Sequence, residues 1–292
     1  MELRHIRYFL AVAEERNFTR AAARVGIGQP PLSQQIKDLE AEVGTNLFQR
    51  LPQGAELTEA GRAFLEIVKG FPAQAERAVR AAQRAARGES GTLRVGFTGS
   101  AVFNPVVAGA VRKFRRAYAD VELSLVEVNS VGLISGLVEG TLDAVFLRPG
   151  TAGSEELHLR LLSEEPMLAV LPASHAAAKD EEVHLARLRS DPFILTPRSV
   201  GSTLFDTVIA ACRKAGFEPV LGQTAPQIGS VINFVAAELG VSLVPASMRA
   251  VKVPGVVYRE VSGAAPVARL SLATRRGDTS PVLRNFVARA VA

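Results

Sequence analysis

Two adjacent prolines constrain this chain more than any other feature. Pro30 and Pro31 lack backbone N–H groups, so a helix can hold them only in its first turn, and helical periodicity starts directly after them. Leu32, Ile36, Leu39 and Val43 then recur at i, i+4, i+7 and i+11, which assigns them to one inward face. At about 100° per residue the opposite face carries Pro30, Ser33, Gln34 and Lys37. Amides, a hydroxyl and an ammonium thus stand where a solvated face usually mixes Glu with Lys. Gln can pair bidentately with adenine, Ser is permissive, and Lys reaches guanine or phosphate. Taken alone, an amphipathic helix of this kind reads as ordinary solvated surface; its neighbours change that reading.

Leu3, Ile6, Leu10 and Ala13, flanked by Phe9 and Val12, recur at helical spacing and predict a first helix ending near Asn17. Thr19 is placed to cap a second helix with Phe18 as its staple, Ala21, Ala22 and Ala23 permit close helix packing, and Gly26 is the stop. Gly28 precedes the proline-bearing third helix. Three short helices around a glycine turn predict a helix-turn-helix, and Leu47 to Arg50, Pro52-Gln53-Gly54 and Glu56-Leu57 predict a two-stranded wing that places Arg50 beside a DNA backbone or minor groove.

The stretches RYFLAVAEERNFTRAAARV, QPPLSQQIKDLEAEVGTNLFQR and LTEAGRAFL, between Leu3 and Gly61 and beyond, resemble the N-terminal winged helix-turn-helix of LysR-type transcriptional regulators. The resemblance implies that Gln29, Pro30, Ser33, Gln34 and Lys37 contact an operator and that Arg50 is a wing contact. Two departures stand out. Gly28 replaces the serine that usually caps the recognition helix, and Gln53 and Glu56 occupy wing positions where a basic residue is common, which implies weaker wing binding to phosphate.

After this first domain, residues 1–58, Thr58 with Glu59 marks the start of a linker over residues 59–88. Phe64, Ile67, Phe71, Ala75, Ala78, Ala82 and Ala85 form an apolar seam, and roughly thirty residues at 1.5 Å each would give about 45 Å of helix. One apolar stripe on so long a helix predicts dimerisation, which the resemblance also implies; a solitary surface helix is the alternative. Pro72 in a helix interior would cost about 3 kcal/mol, so a kink or break is expected near Gly70-Phe71-Pro72. Gly88-Glu89-Ser90-Gly91 reads as a hinge.

From residue 89 onward, strand-like and helical runs alternate, which predicts α/β folding with mainly parallel sheets. Strands are expected at 93–97, 121–128, 144–147, 167–171, 193–195, 241–244, 256–259 and 270–273, and helices at about 103–118, 132–139, 203–215, 229–239 and 282–291. The return of the chain after residue 266 predicts two lobes, 92–162 with 267–292 and 163–266. LRVGFTGSA, GTLDAVFLRPG, MLAVLPASH and LGVSLVPAS resemble the effector domain of the same family, a two-lobed α/β fold like that of periplasmic binding proteins, and YREVSGAAPVARLSLATRRGD is similar to regulators of aromatic-carboxylate catabolism.

In such folds small anions sit where helix N-termini aim free N–H groups into a cleft. Thr98-Gly99-Ser100 after the first strand and Gly201-Ser202-Thr203 at a helix start are candidates, Ser130 adds a hydroxyl, and Arg148 adds a charge able to grip a carboxylate bidentately. Singly, each reads as a cap, a turn residue or a surface cation; together they predict a carboxylate pocket. Phe103, Ile228 and Phe234 are candidate apolar walls.

Composition narrows the remaining classes. No apolar run reaches 18 residues, and MELRHIRYFLAVAEERNF lacks the pattern of a secretory signal, so a cytoplasmic protein is expected. The single cysteine, Cys212, excludes an internal disulfide and cysteine-based zinc sites; it reads as buried core, with redox sensing the alternative. His5, His158, His175 and His184 show no metal-ligand spacing and no pairing with a nucleophile motif, so no metal, no cofactor and no catalysis are expected. Net charge is +5, but residues 1–90 hold 13 Lys+Arg and 11 Asp+Glu, a net of only +2, so charge does not locate the DNA-binding part. The resulting expectation is a transcriptional regulator, dimeric or a dimer of dimers, that binds a double-stranded operator. It would sense a small aromatic or dicarboxylic acid, and engage RNA polymerase if it activates. A solute-binding protein for transport is the rival, and a cytosolic enzyme the weaker third reading.

Overall fold

The computed structural model describes residues 1–52, 54–150 and 153–291. Internal contacts divide the chain into two units, Met1–Gln83 and Arg84–Ala292.

The first unit opens with α1 (Leu3–Glu15), α2 (Phe18–Val25) and α3 (Gln29–Val43). The buried stripe of α1 is Ile6, Phe9 and Val12, with Leu3 exposed and Leu10 and Ala13 only half-buried, so the seam runs one step round from the expected one. Asn17, rather than Thr19, caps α2: its side chain accepts from the Thr19 and Arg20 amides, and Asn in an extended conformation meets two of the free N–H groups that a helix start leaves. Gly26 ends α2 in the left-handed conformation, and Gly28 precedes α3 with no capping side chain. Leu32, Ile36 and Leu39 are fully buried; Val43 is 39% exposed, because the last turn of α3 runs past the core.

The wing is β1 (Phe48–Leu51) paired antiparallel with β2 (Gly54–Leu57); Gln53 lies outside the described residues. Glu40 of α3 accepts from the Leu47 and Phe48 amides at 2.8 and 2.9 Å, tying the start of the wing to that helix. The Ala55 amide donates to the Arg16 carbonyl at 2.9 Å, and a Cβ on Gly54 would lie 2.3 Å from that oxygen, so this approach needs glycine. Phe9 holds the unit together, with ring centroids 5.1 Å from Phe48 and 5.0 Å from Phe64.

The linker is two helices, α4 (Glu59–Val68), capped by Thr58, and α5 (Phe71–Ala86). The chain breaks at Lys69-Gly70, which puts Pro72 in the first turn of α5, where its missing N–H costs nothing; the single 45 Å rod is therefore not formed. No residue of α5 is buried.

The second unit contains β3 (Gly91–Phe97), α6 (Pro105–Ala117), β4 (Val121–Glu127), α7 (Ser130–Val138), β5 (Ala144–Leu147), β6 (His158–Pro172), β7 (Glu182–Val183), β8 (Pro192–Leu195), α8 (Ser202–Lys214), β9 (Val220–Thr224), α9 (Ile228–Ala236), β10 (Ser242–Pro245), β11 (Val256–Val261), β12 (Val267–Thr274) and α10 (Pro281–Val291). The expected hinge is pinned: Gly91 already belongs to β3, Asn285 of α10 donates to the Arg87 and Gly88 carbonyls, and a Cβ on Gly88 would lie 2.5 Å from the Pro281 carbonyl carbon.

One sheet runs β4-β3-β5-β12-β6-β11-β7, with β10 also on β6. The sheets are mixed, not mainly parallel. β3 pairs parallel with β4 and β5, and β8 with β9, whereas β6 pairs antiparallel with β12, β10 and β11. The 15-residue β6 unites two lobes: its first half pairs with β12 and its second with β10 and β11. Phe114, Phe146 and Phe286 fill the core of the first lobe; Leu171, Phe193, Val208 and Cys212 fill part of the second. The strands β3, β4 and β5 end together at the mouth between the lobes, where ligands bind in open α/β sheets.

Candidate nucleic-acid interface and ligand cleft

Because α3 commits Leu32, Ile36 and Leu39 to the core, its outer face is fixed by the helical repeat. Pro30, Gln34 and Lys37 are exposed there. Ser33 is not: it is 9% exposed and its hydroxyl accepts from Gln29 Nε2 at 2.8 Å. At three residues from Pro30 it sits about 60° round towards Ile36, which takes it off the open face and makes it a support for Gln29. Gln34 Nε2 donates to Asp38 at 2.8 Å, so its amide is held in place, though Asp38 also adds a negative charge beside Lys37. Arg50 is exposed on the wing with its guanidinium carbon 4.6 Å from the Phe18 ring centroid, a cation–π contact that fixes the side chain without neutralising it. Glu56 is exposed beside it on the other wing strand, and Arg50 pairs across with Ala55.

In the second unit a cavity of about 330 Å³ lies between the lobes. Thr98, Gly99, Ser100, Ser130 and Arg148 line it from the first lobe, and Gly201 and Thr203 from the second. Ser202 does not line it; the 100° step of α8 turns it away from the side shared by Gly201 and Thr203. Ile228 forms an apolar wall as expected. Phe103 and Phe234 do not reach the cavity; Phe103 lies exposed in the loop before α6, and Phe234 packs on the core beneath α9.

Three helix starts face this space. Asn129 and Ser130 begin α7, Gly201 begins α8, and Gln227 and Ile228 begin α9; the last two helices have no capping side chain, so their first N–H groups are left for a ligand. Thr203 uses its hydroxyl to donate to the Pro149 carbonyl at 3.1 Å, which joins the lobes rather than offering a free donor.

Arg148 is 2% exposed and directly follows β5. Its Nη2 donates to Glu165 at 3.0 Å, so the expected open bidentate fork is half occupied: Glu165, on β6, takes one of the two arms. Nη1 has no partner among the described residues, and neither does the buried Thr98 hydroxyl. A buried cation with an unmet N–H and an unmet hydroxyl in the lining of the same cavity cost free energy until an acceptor enters. Burial lowers the Arg148 guanidinium pKa, and the charge and hydrogen bond of Glu165 only partly restore it. Burial pushes the Glu165 carboxyl up, but the Ser247 amide at 2.7 Å, the Asn104 amide at 3.0 Å and Arg148 outweigh it and hold the group below the usual carboxylate range. This carboxylate therefore spans both lobes. Sequence reasoning missed Glu165, which lies in a charged run, Ser163-Glu164-Glu165, with no motif to separate it from surface. It also missed Glu127, Val128, Thr196 and Gln227 in the lining.

Cys212 is buried core, and burial pushes its thiol up to about 11, which suppresses thiolate chemistry. Among the described residues no His, Cys, Asp and Glu group could hold a metal ion, and no helix is long and apolar enough to cross a membrane.

Comparison with known proteins covers both units. The family model for the bacterial regulatory helix-turn-helix protein, lysR family, matches residues 3–62, and that for the LysR substrate binding domain matches residues 86–292. The HTH-type transcriptional regulator YnfL of Escherichia coli (strain K12) is 39% identical over 287 residues, 98% of this chain and 96% of that one. The HTH-type transcriptional regulator BudR of Raoultella terrigena is 39% identical over 287 residues, 98% and 99% of the two chains. Full-length CbnR, crystallised with its target DNA, superposes with a TM-score of 0.87 at 29% identity, covering 99% of this chain and 98% of that one.

Proposed function

This chain belongs to the LysR family of DNA-binding transcriptional regulators, and from that premise we propose that its α3 enters the major groove of an operator while a small carboxylate in the interlobe cleft sets how that operator is held. It is a regulator with an effector-binding domain, not an enzyme. The transport alternative finds no support, since the N-terminal match is to a DNA-binding module. Pro30, Gln34 and Lys37 make the direct contacts in this reading, Gln29 reaches DNA from its bond to Ser33, and Arg50 meets the backbone from the wing. The protein acts in the cytoplasm as a dimer or dimer of dimers, in a pathway of aromatic-acid catabolism, and recruits RNA polymerase where it activates.

The observation that carries the ligand assignment is the pair of buried, unpartnered groups, Arg148 Nη1 and Thr98 Oγ1, beside three helix starts. A carboxylate meets both groups and the helix dipoles at once. Effector control requires that the ligand bind the two operator-holding states with different affinity.

Mobility shifts on the DNA upstream of the protein's own gene test both halves. Lys37→Ala is expected to weaken operator binding and to reduce its salt dependence by about one phosphate contact. Arg148→Ala is expected to abolish the response to a carboxylate, and Thr98→Val, which leaves the Arg148–Glu165 pair intact, to weaken it about tenfold. Titration calorimetry showing undiminished carboxylate affinity in both cleft variants refutes the assignment.

A further inference from the structure

The charges around the cleft narrow the ligand. Among its described lining residues Arg148 is the one cation and Glu127 the one anion, since Glu165 stands behind Arg148 and does not line the space. Glu127 ends β4, is solvent-accessible at the mouth, and has no hydrogen-bond or ion-pair partner among the described residues. Its carboxylate leans over the Thr98-Gly99-Ser100 turn: a Cβ on Gly99 would lie 2.8 Å from Glu127 Oε1. The same turn contacts Arg148, whose Nε and Nη2 lie 3.4 Å from the Ser100 hydroxyl and carbonyl. The anion-accepting and anion-rejecting groups thus flank one short turn.

A ligand carboxylate on Arg148 Nη1 and Thr98 therefore leaves the ligand's other end near Glu127. A second carboxylate there faces a like charge with no free cation to offset it, since Arg148 is already ion-paired with Glu165 at 3.0 Å. A hydroxyl or ammonium in the same place donates to Glu127 instead. We propose that Glu127 is the residue that selects effectors: it admits monocarboxylates bearing a hydrogen-bond donor at the far end and excludes dicarboxylates. This rests on the cleft being a carboxylate site, and it narrows the dicarboxylic expectation drawn from sequence.

Three four-carbon acids differ only at the far end: 4-hydroxybutyrate, 4-aminobutyrate and succinate. Calorimetric titration of the full-length protein is expected to give at least one donor-bearing acid an affinity about tenfold above that of succinate. In Glu127→Gln, which keeps the side chain's shape and removes its charge, that ratio is expected to collapse towards one. The hydroxyl and ammonium arms tell which donor is preferred, and either supports selection. Succinate binding as tightly as both donors, or a ratio that survives Glu127→Gln, overturns the role of Glu127 while leaving the carboxylate cleft standing. Binding of none of the three, nor of benzoate, by protein that still shifts operator DNA overturns the carboxylate cleft itself and this selection with it.

Discussion

At the scale of single residues, the second unit relies on carboxylates that are paired before any ligand arrives. Asp143, just before β5, accepts from the Arg94 amide at 2.8 Å, from Arg94 Nη2 at 2.8 Å and from Arg275 Nη2 at 3.4 Å. Burial raises its carboxyl, but these donors outweigh burial and leave it below the usual carboxylate range. A group whose folded value is depressed contributes stability above its unfolded value, near 3.9, and loses it as pH falls through the lower folded value. Asp143→Asn is accordingly expected to cost about 2 kcal/mol at pH 7, with the difference from wild type shrinking as pH drops below about 4. Urea unfolding of both proteins at pH 7 and pH 3 measures it; an equal difference at the two values refutes the linkage. Residues also mark where sequence reasoning stops. Arg148 and Thr98 reach the cavity because strand ends in α/β sheets point at ligands, whereas the burial of Ser33 is not legible because a helical wheel places it at the edge of a face and only its bond to Gln29 shows which side it joins. The Arg148–Glu165 pair joins residues 17 positions apart through β6, and no local pattern encodes that.

At the scale of elements, legibility followed burial. Helices with one buried stripe, such as α1 and α3, and short strands with both faces buried, such as β5 and β10, were visible as periodic or continuous apolar runs. The first half of β6, His158–Pro166, carries charges and alternates little, and β9 is largely exposed; both exist because distant strands pair with them, so their cause is not local. Strand sense was lost for the same reason, since the antiparallel pairs of β6 join segments 72 to 116 residues apart. The wing gives a sharper case. Its start is held by Glu40, a residue that reads as helix surface, through two backbone amides that have no other described partner. Glu40→Ala is expected to cost about 1–3 kcal/mol and to speed hydrogen exchange at Leu47 and Phe48 selectively. If exchange at those two amides stays as slow as in wild type, the wing is anchored by Phe48 packing on Phe9 and the Ala55 amide on Arg16 instead.

At the scale of the whole molecule, the linker presents an exposed apolar face. α5 spans 16 residues with none buried, and Ile67 of α4 and Val79 of α5 are 70% and 57% exposed. A helix of this length is marginal in water without a packed face, and its alanine seam offers a small-residue face to a second copy. The break at Lys69-Gly70 makes this a property of two helices rather than of one uninterrupted helix. Dimerisation through α5 would present two copies of α3 to half-sites about 34 Å apart, which a monomer with an uncapped recognition helix needs more than most. Val79→Glu puts a charge on the flank of that seam twice per dimer. It is expected to raise the dimer dissociation constant about 30-fold or more and to weaken operator binding in step, since each half-site is then gripped alone. Sedimentation velocity across a concentration series reads the first effect and mobility shift the second. An unchanged dissociation constant would mean that the α5 face is not where two copies meet, and weakened operator binding with intact association would point instead to damage within the helix.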